Sequence, residues 1–353
     1  MLIAVVVLAG SVASGAAARP ATPLADAPIP IEFPRDDGPH DSGIEWWYFT
    51  GHLFTEDDER YGFEYVVFRA RDGNIEGYVS HFAVTDNARH RFMYDQRLLG
   101  APGVRGDAAA LDLDLNGWTM RGGDGAFALA ADMPGYAIRL EVESTKPAAM
   151  HDGDGYIDYG NGTASYYYSW TRLSVAGEID TGDGWKPVIG MAWMDHQWGD
   201  FATYQDGGWD WFAVQLDDGT DVMLYFIRGA RGEALRVDGS VVGPDGELTV
   251  LGAGDFAVTA TAEWTSATTG TTYPSGWLLE IPGLDLAMSV TPTLLDQELD
   301  TRRTTGVIYW EGEAVVEGTY GDEPIEGLAY VELTGYAPYE PLDVGTPPAT
   351  PES

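Results

Sequence analysis

Two carboxyls, one imidazole and four indoles fall in two short blocks of this chain, Glu45-Trp46-Trp47-Tyr48 and Trp193-Met194-Asp195-His196-Gln197-Trp198-Gly199. Indole faces offer apolar surface that tolerates a cation, and a carboxyl or imidazole beside them can move a proton. A pocket for an apolar or oxocarbenium-like guest needs both. Side chains on an extended segment alternate between faces, so His196 and Trp198 share one side of theirs, and Asp195 and Gln197 the other. Asp195 and His196 are the candidate proton-transfer groups, with Trp198 as the wall beside them.

Trp46 and Trp47 must likewise point to opposite faces, so only one can line a given interior. A buried Glu45 has to be paired or neutral, and His52 or Arg69 can serve as its partner. Trp209-Asp210-Trp211 repeats the theme, and Tyr166-Tyr167-Tyr168-Ser169-Trp170 adds phenols. The expected ligand wall is Glu45, Trp46, Trp47, His52, Tyr168, Trp193, Asp210 and Trp211. The plainer alternative is an aromatic plug that fills a barrel end, with the histidine as an ordinary hydrogen-bonded core residue.

Metal chemistry has less to stand on. The six histidines, at 40, 52, 81, 90, 151 and 196, show no tight zinc spacing, so a zinc site would have to be assembled wholly by the fold. The loop Asp152-Gly153-Asp154-Gly155-Tyr156-Ile157-Asp158 resembles a calcium loop, but Met150 and Asn161 stand where an EF-hand needs its first ligand and its bidentate Glu. No metal and no cofactor is expected. The chain has no Gly-x-Ser-x-Gly elbow, phosphate loop or dinucleotide fingerprint, so the common hydrolase, kinase and dehydrogenase routes lose support.

The elements that position these groups are strands. Ten Asp-Gly pairs, with Asn116-Gly117 and Asn161-Gly162, mark tight turns along the chain. Between them lie short runs rich in Val, Tyr, Phe, Trp and Thr, such as residues 61–69, 77–85, 208–215 and 221–227, mostly with period two and never with sustained helical period. The fold class is all-β, and closure into barrels is the common answer to many short strands with exposed edges. At 353 residues, two barrels fit the length best. The expected division is a first barrel over 33–190 and a second over 191–340. Residues 19–32 form a linker before them, and a proline-rich disordered tail covers 341–353.

Residues 1–18 are apolar and small, end in Ala16-Ala17-Ala18, and read as a secretory signal, so export and cleavage near Ala18 are expected. No later stretch is long and apolar enough for a membrane helix. The chain has no cysteine, which excludes disulfides and thiolate chemistry. Its formal charge of -37, from 56 acidic and 19 basic residues with only Lys146 and Lys186 as lysines, makes nucleic acid an unsuitable partner. The acid excess with so few lysines resembles that of proteins from high-salt habitats, and a solvated anionic coat is expected. The composition identifies no protein partner.

Several ordered motifs, taken together, carry a family resemblance. They are Glu45-Trp46-Trp47-Tyr48 with Gly51-His52-Leu53, Tyr166-Tyr167-Tyr168-Ser169, Ala192-Trp193-Met194-Asp195-His196-Gln197-Trp198-Gly199, and Gly327-Leu328-Ala329-Tyr330-Val331-Glu332. The chain resembles the lipocalin-like carotenoid 1,2-hydratase superfamily, with its AttH-like secreted proteins, from about Phe33 to Tyr336. The resemblance implies two tandem calycin-type antiparallel β-barrels with a ligand cavity in or between them. It also implies a hydrophobic small-molecule partner. The superfamily holds hydratases of acyclic carotenoids, polyketide cyclases and members without an assigned reaction. His196 and Trp198 resemble its His-x-Trp element and Tyr225 its downstream tyrosine, which makes Asp195, His196, Trp198 and Tyr225 the expected catalytic set. Ile227 stands where an acidic residue is expected.

Three readings follow. The first is an exported protein that binds and hydrates, isomerises or cyclises an isoprenoid- or polyketide-like molecule by acid catalysis. The second is a non-catalytic carrier of lipids or pigments. The third is a carbohydrate-active protein with Glu45 and Asp195 as paired carboxylates.

Overall fold

The computed structural model describes residues 28–73, 75–100, 110–160, 162–201 and 207–339. The signal-like segment 1–18, most of the linker and the tail 341–353 lie outside the described residues.

Alternating side chains and tight Gly turns produce two antiparallel sheets, each near-closed into a barrel. The first has twelve strands and takes in the chain from Ile44–Phe54 to Trp185–Asp200; the second has ten, from Gly208–Leu216 to Glu323–Leu333. Each is essentially a meander whose last strand returns to pair with its first. Thus Ile44–Phe54 lies beside Trp185–Asp200, and Gly208–Leu216 beside Glu323–Leu333. Trp185–Asp200 stays in the first sheet along its whole length, and the chain passes to the second sheet between Asp200 and Gly208.

Inward positions of each sheet make its core. Trp47, Phe49, Phe63, Phe82 and Trp118 fill the first barrel, and Phe212, Trp277, Leu279, Met288 and Trp310 fill the second. A third apolar layer joins the outer faces of the two sheets, through Tyr48, Val66, Tyr167, Trp193, Trp211, Met223, Tyr225 and Tyr330. Strands at this junction are therefore buried on both faces, as Ile44–Phe54 is over nearly all its length. Gly62 permits the close approach: a Cβ there would sit 2.8 Å from Glu313 Cβ, on the opposite barrel.

Polar ties cross the junction as well. His52 Nδ1 lies 2.9 Å from Glu313 Oε1, Tyr48 donates to Glu311 at 2.6 Å, and Thr85 donates to Gln297 at 2.6 Å. Lys146 and Arg172 both hold Asp221, at 2.7 and 2.6 Å. Directional polar bonds of this kind, charged in the Lys146–Asp221 and Arg172–Asp221 pairs, fix one docking arrangement out of the many that an apolar layer alone would allow.

Candidate functional site

A cavity of about 320 Å³ lies between the outer faces of the two barrels. Its apolar wall is Trp46, Phe68, Tyr159, Phe201, Trp209, Trp211 and Ile227, and its polar wall is Asp195, Glu64, Glu332, Tyr48, Tyr167, Tyr225 and Gln197. The strand register explains the convergence. Tyr48 stands opposite Asp195 on the first sheet, while Trp211 stands between Glu332 and Tyr225 on the second. All of these project from the sheet faces that meet.

Asp195 is nearly sealed. Its Oδ2 accepts from Tyr167 at 2.5 Å, and its Oδ1 accepts from Trp193 Nε1 at 2.6 Å and from the Ser169 hydroxyl. Burial lifts its pKa to about 6, against the pull of those three donors. Near neutrality it is an anion held by fixed dipoles.

Glu332 differs. Trp209 Nε1 donates to its Oε2 at 2.7 Å, and the side chain borders the cavity. Burial, aided by the charge of Asp195 and opposed by the Trp209 bond, lifts it to about 7. Glu64 goes higher, to about 8, because burial and the charge of Glu332 act together. Glu311, cross-strand from Glu332, is pushed well above the carboxylate range by burial and by Glu332 and Glu64. Like charges in an enclosed site cannot all ionise, so this group holds protons at neutral pH.

The Glu64 proton has a defined neighbour. Tyr309 Oη lies 3.1 Å from Glu64 Oε1 and 2.8 Å from His81 Nδ1, and His81 Nε2 lies 3.2 Å from Thr304 Oγ1. Burial lowers His81 to about 3, so its ring is neutral and one nitrogen accepts. Tyr309 Oη thus bridges Glu64 and His81, while the second Glu64 oxygen, Oε2, is buried without a hydrogen-bond partner among the described residues.

These shifts make stability fall as pH rises. Glu64 and Glu332 have folded pKa values above their unfolded ones, so their contribution is complete below about pH 4.5 and is lost as pH rises through about 7 and 8. His81, His151 and His196 are lowered to about 3, 3 and 4, so their contribution changes only below about 6.5. Between pH 6.5 and 8 the carboxyls therefore act unopposed by these histidines. Denaturant unfolding should show a loss of roughly 2 kcal/mol across that window, and Glu64→Gln should flatten it.

The structure separates the residues that the sequence groups together. Asp195 and Tyr225 line the cavity, and Tyr225 donates to Asp238 at 2.8 Å. His196 and Trp198 do not line it, because they leave the same strand toward the first barrel's interior. Trp46 and Trp211 line the cavity, whereas Trp47 is core of the first barrel, with no exposed surface. Tyr168 donates inside that barrel to Asp37 Oδ1 at 2.6 Å, and Trp193 lies behind the cavity as a donor to Asp195. His52 is spent on Glu313, so Glu45 takes Arg69 at 3.0 Å as its ionic partner. Asp210 faces away from Trp209 and Trp211, toward Arg228 and Tyr336. Glu45 borders the cavity, but its bonding partners are disjoint from those of Asp195, so the two are not a shared carboxylate pair.

Glu64, Glu311, Glu332, His81, Tyr309 and Trp209 are absent from the sequence-predicted set. A signal existed: Phe63-Glu64-Tyr65 and Trp310-Glu311-Gly312-Glu313 place an acid among aromatics, as Glu45-Trp46 does. Glu332 lies within one of the motifs that carry the resemblance.

Behind the cavity, His40, Glu45 and His196 form a second cluster, with ligand-type atoms all within 4.8 Å of one another. Burial opposes ionisation of Glu45, but hydrogen bonds from His196 and His40 outweigh it and hold the carboxyl below its ordinary range. His196 is lowered to about 4 by burial, against the attraction of Glu45.

The geometry has relatives. The family model described as AttH-like matches residues 24–336. A protein assigned as AttH from Nitrosomonas europaea superposes with a TM-score of 0.80 at 29% identity, over 90% of this chain and 100% of that one. Kievitone hydratase from Nectria haematococca gives 0.70 at 18% identity, over 89% and 94%, and CghA with Sch210972 gives 0.52 at 13%, over 92% and 98%. The last two share the fold, that of tandem lipocalin-like barrels. No curated protein matches the chain. With the family model spanning both barrels, the chain belongs to the AttH-like family.

Proposed function

We propose that the cavity between the barrels binds a hydrophobic isoprenoid- or polyketide-like small molecule and transforms it by acid catalysis, with Glu332 as the acid and Asp195 as its anionic counterpart. One observation carries the reading: two carboxyls in one aromatic chamber have environments that set them apart, one at about 7 and open to the guest, the other at about 6 and clamped by three donors. Unequal carboxyls are the usual basis for assigning an acid and a base.

For hydration, the Glu332 proton passes to one alkene carbon and leaves a tertiary cation on the other. The faces of Trp46, Trp209 and Trp211 and the charge of Asp195 stabilise that cation. A water molecule adds to it and gives its surplus proton to Asp195, so one water is added across the double bond. Proton return from Asp195 to Glu332 resets the site. Isomerisation or cyclisation uses the same first step, with loss of a different proton or capture by a second double bond.

The shared fold of kievitone hydratase supports the reading to the extent that this scaffold accommodates a hydratase. A carrier of lipids or pigments would use the same apolar wall but has no need of carboxyls kept protonated within it. Export after loss of residues 1–18 remains part of the proposal.

The test is incubation with acyclic isoprenoids in heavy-oxygen water, followed by mass spectrometry of the extract. A product carrying the heavy oxygen, or an isomer of unchanged mass, supports catalysis. Stoichiometric recovery of intact ligand, with no conversion in any of the substrates, establishes the carrier instead.

A further inference from the structure

We propose that His40, Glu45 and His196 form a binding site for one divalent first-row transition-metal ion, which would fasten the segment around Arg35–Asp37 and His40 to the end of the first barrel. Of its three ligands only Glu45 borders the proposed catalytic chamber, and the site does not depend on that reading.

The donor set is complete enough to hold an ion. His40 Nδ1 and His196 Nε2 both point at Glu45 Oε1, from 2.7 and 2.9 Å. Two imidazoles and one monodentate carboxylate select zinc-like ions over calcium or magnesium, which prefer all-oxygen shells. The other carboxylate oxygen, Oε2, is occupied by Arg69 at 3.0 Å, and Arg69 is itself neutralised by Glu76 at 2.5 Å. This arrangement orients Glu45 so that one oxygen remains for the metal.

The surroundings are those of a metal site rather than of a simple hydrogen-bonded cluster. A ligating histidine keeps its second nitrogen against an acceptor that fixes the tautomer. His40 Nε2 lies 3.3 Å from Asp36 Oδ1, and His196 Nδ1 lies 3.1 Å from the Tyr168 hydroxyl oxygen, which donates its own proton to Asp37. Each ring can therefore move its proton to the outer nitrogen and find an acceptor there, which frees both inner nitrogens without ionising either ring. Aromatic faces close the site: Trp198 stacks on His40 at 3.9 Å and Trp47 stacks on His196 at 4.9 Å. His40 alone of the three retains appreciable exposure, which gives the ion a route in.

The experiment is titration of chelator-treated protein with Co²⁺ in millimolar Mg²⁺, which masks weak binding to the acidic surface, read by visible absorption and calorimetry. One equivalent should bind with a ligand-field band that X-ray absorption assigns to two imidazoles, and Zn²⁺ should displace it. His40→Ala, at the exposed edge of the site, should lose at least about 10-fold in affinity while its circular dichroism stays unchanged, and Glu45→Gln should lose as much. His90→Ala, in a turn outside the cluster, should bind as the parent does. Absence of a saturable band in the parent protein, or equal affinity in His40→Ala, would overturn the site.

Discussion

Glu332→Gln should lower turnover of a bound alkene by about 10²- to 10⁴-fold, the range contributed by a positioned general acid, while leaving ligand affinity within a few fold. The amide keeps the shape of the carboxyl and its carbonyl can still accept from Trp209 Nε1, now at 2.7 Å from Oε2, so the chamber stays formed. What it lacks is a proton to give. The parent's kcat/KM should decline as pH rises through about 7, where Glu332 loses its proton, and that limb should vanish with the residual activity of the variant. Asp195→Asn acts differently: it removes the anion and turns one acceptor into a donor against Tyr167, Ser169 or Trp193, so it should disturb both binding and turnover. Unchanged turnover in Glu332→Gln with intact folding would remove Glu332 as the acid and pass that role to another group of the chamber.

The contrast between these two carboxyls also shows what could be read from the sequence. Asp-Gly turns and period-two runs announce two all-β halves, because tight hairpins need positive φ, as at Gly73, Gly125, Gly184 and Gly219, and alternating faces need one side buried. The same alternation separates Asp195 from His196 correctly. It does not reveal which of the two faces meets a ligand, because strands at the junction bury both faces: Trp47 is as enclosed as its neighbour Tyr48 is nearly so, yet only the latter borders the cavity. Period two carries no information when both phases are apolar. Partners contributed by the other barrel are further from view, since Tyr48 and Glu311 are 263 residues apart along the chain. Glu332 becomes conspicuous only when Trp211 is known to stand beside it, with Tyr225 on the strand beyond.

The other large effect lies at the base of the junction, where Asp221→Ala should destabilise the protein by about 3–5 kcal/mol in denaturant unfolding. Asp221 is fully buried and is the common acceptor for Lys146 Nζ, Thr171 Oγ1 and two nitrogens of Arg172, at 2.6 to 3.0 Å. The donors belong to the first barrel's side and the acceptor to the second, so the cluster is a cross-barrel clamp. Lys146 is one of only two lysines in a chain of net charge -37, and it is spent here, with 4% of its side chain exposed. Loss of the carboxylate leaves an ammonium and a guanidinium sharing a sealed site with no anion, and the cost is mainly that uncompensated charge rather than the loss of attraction. Asp221→Asn should therefore destabilise less, and adding Lys146→Met to it should restore part of the loss by removing the stranded ammonium. Because the clamp joins two separate cores, its removal should also broaden the transition or split it, the barrels then unfolding independently. A single sharp transition at the parent's midpoint in Asp221→Ala would mean that the apolar layer of Tyr48, Trp193 and Trp211, with the remaining polar ties at His52, Tyr48 and Thr85, suffices to hold the barrels together.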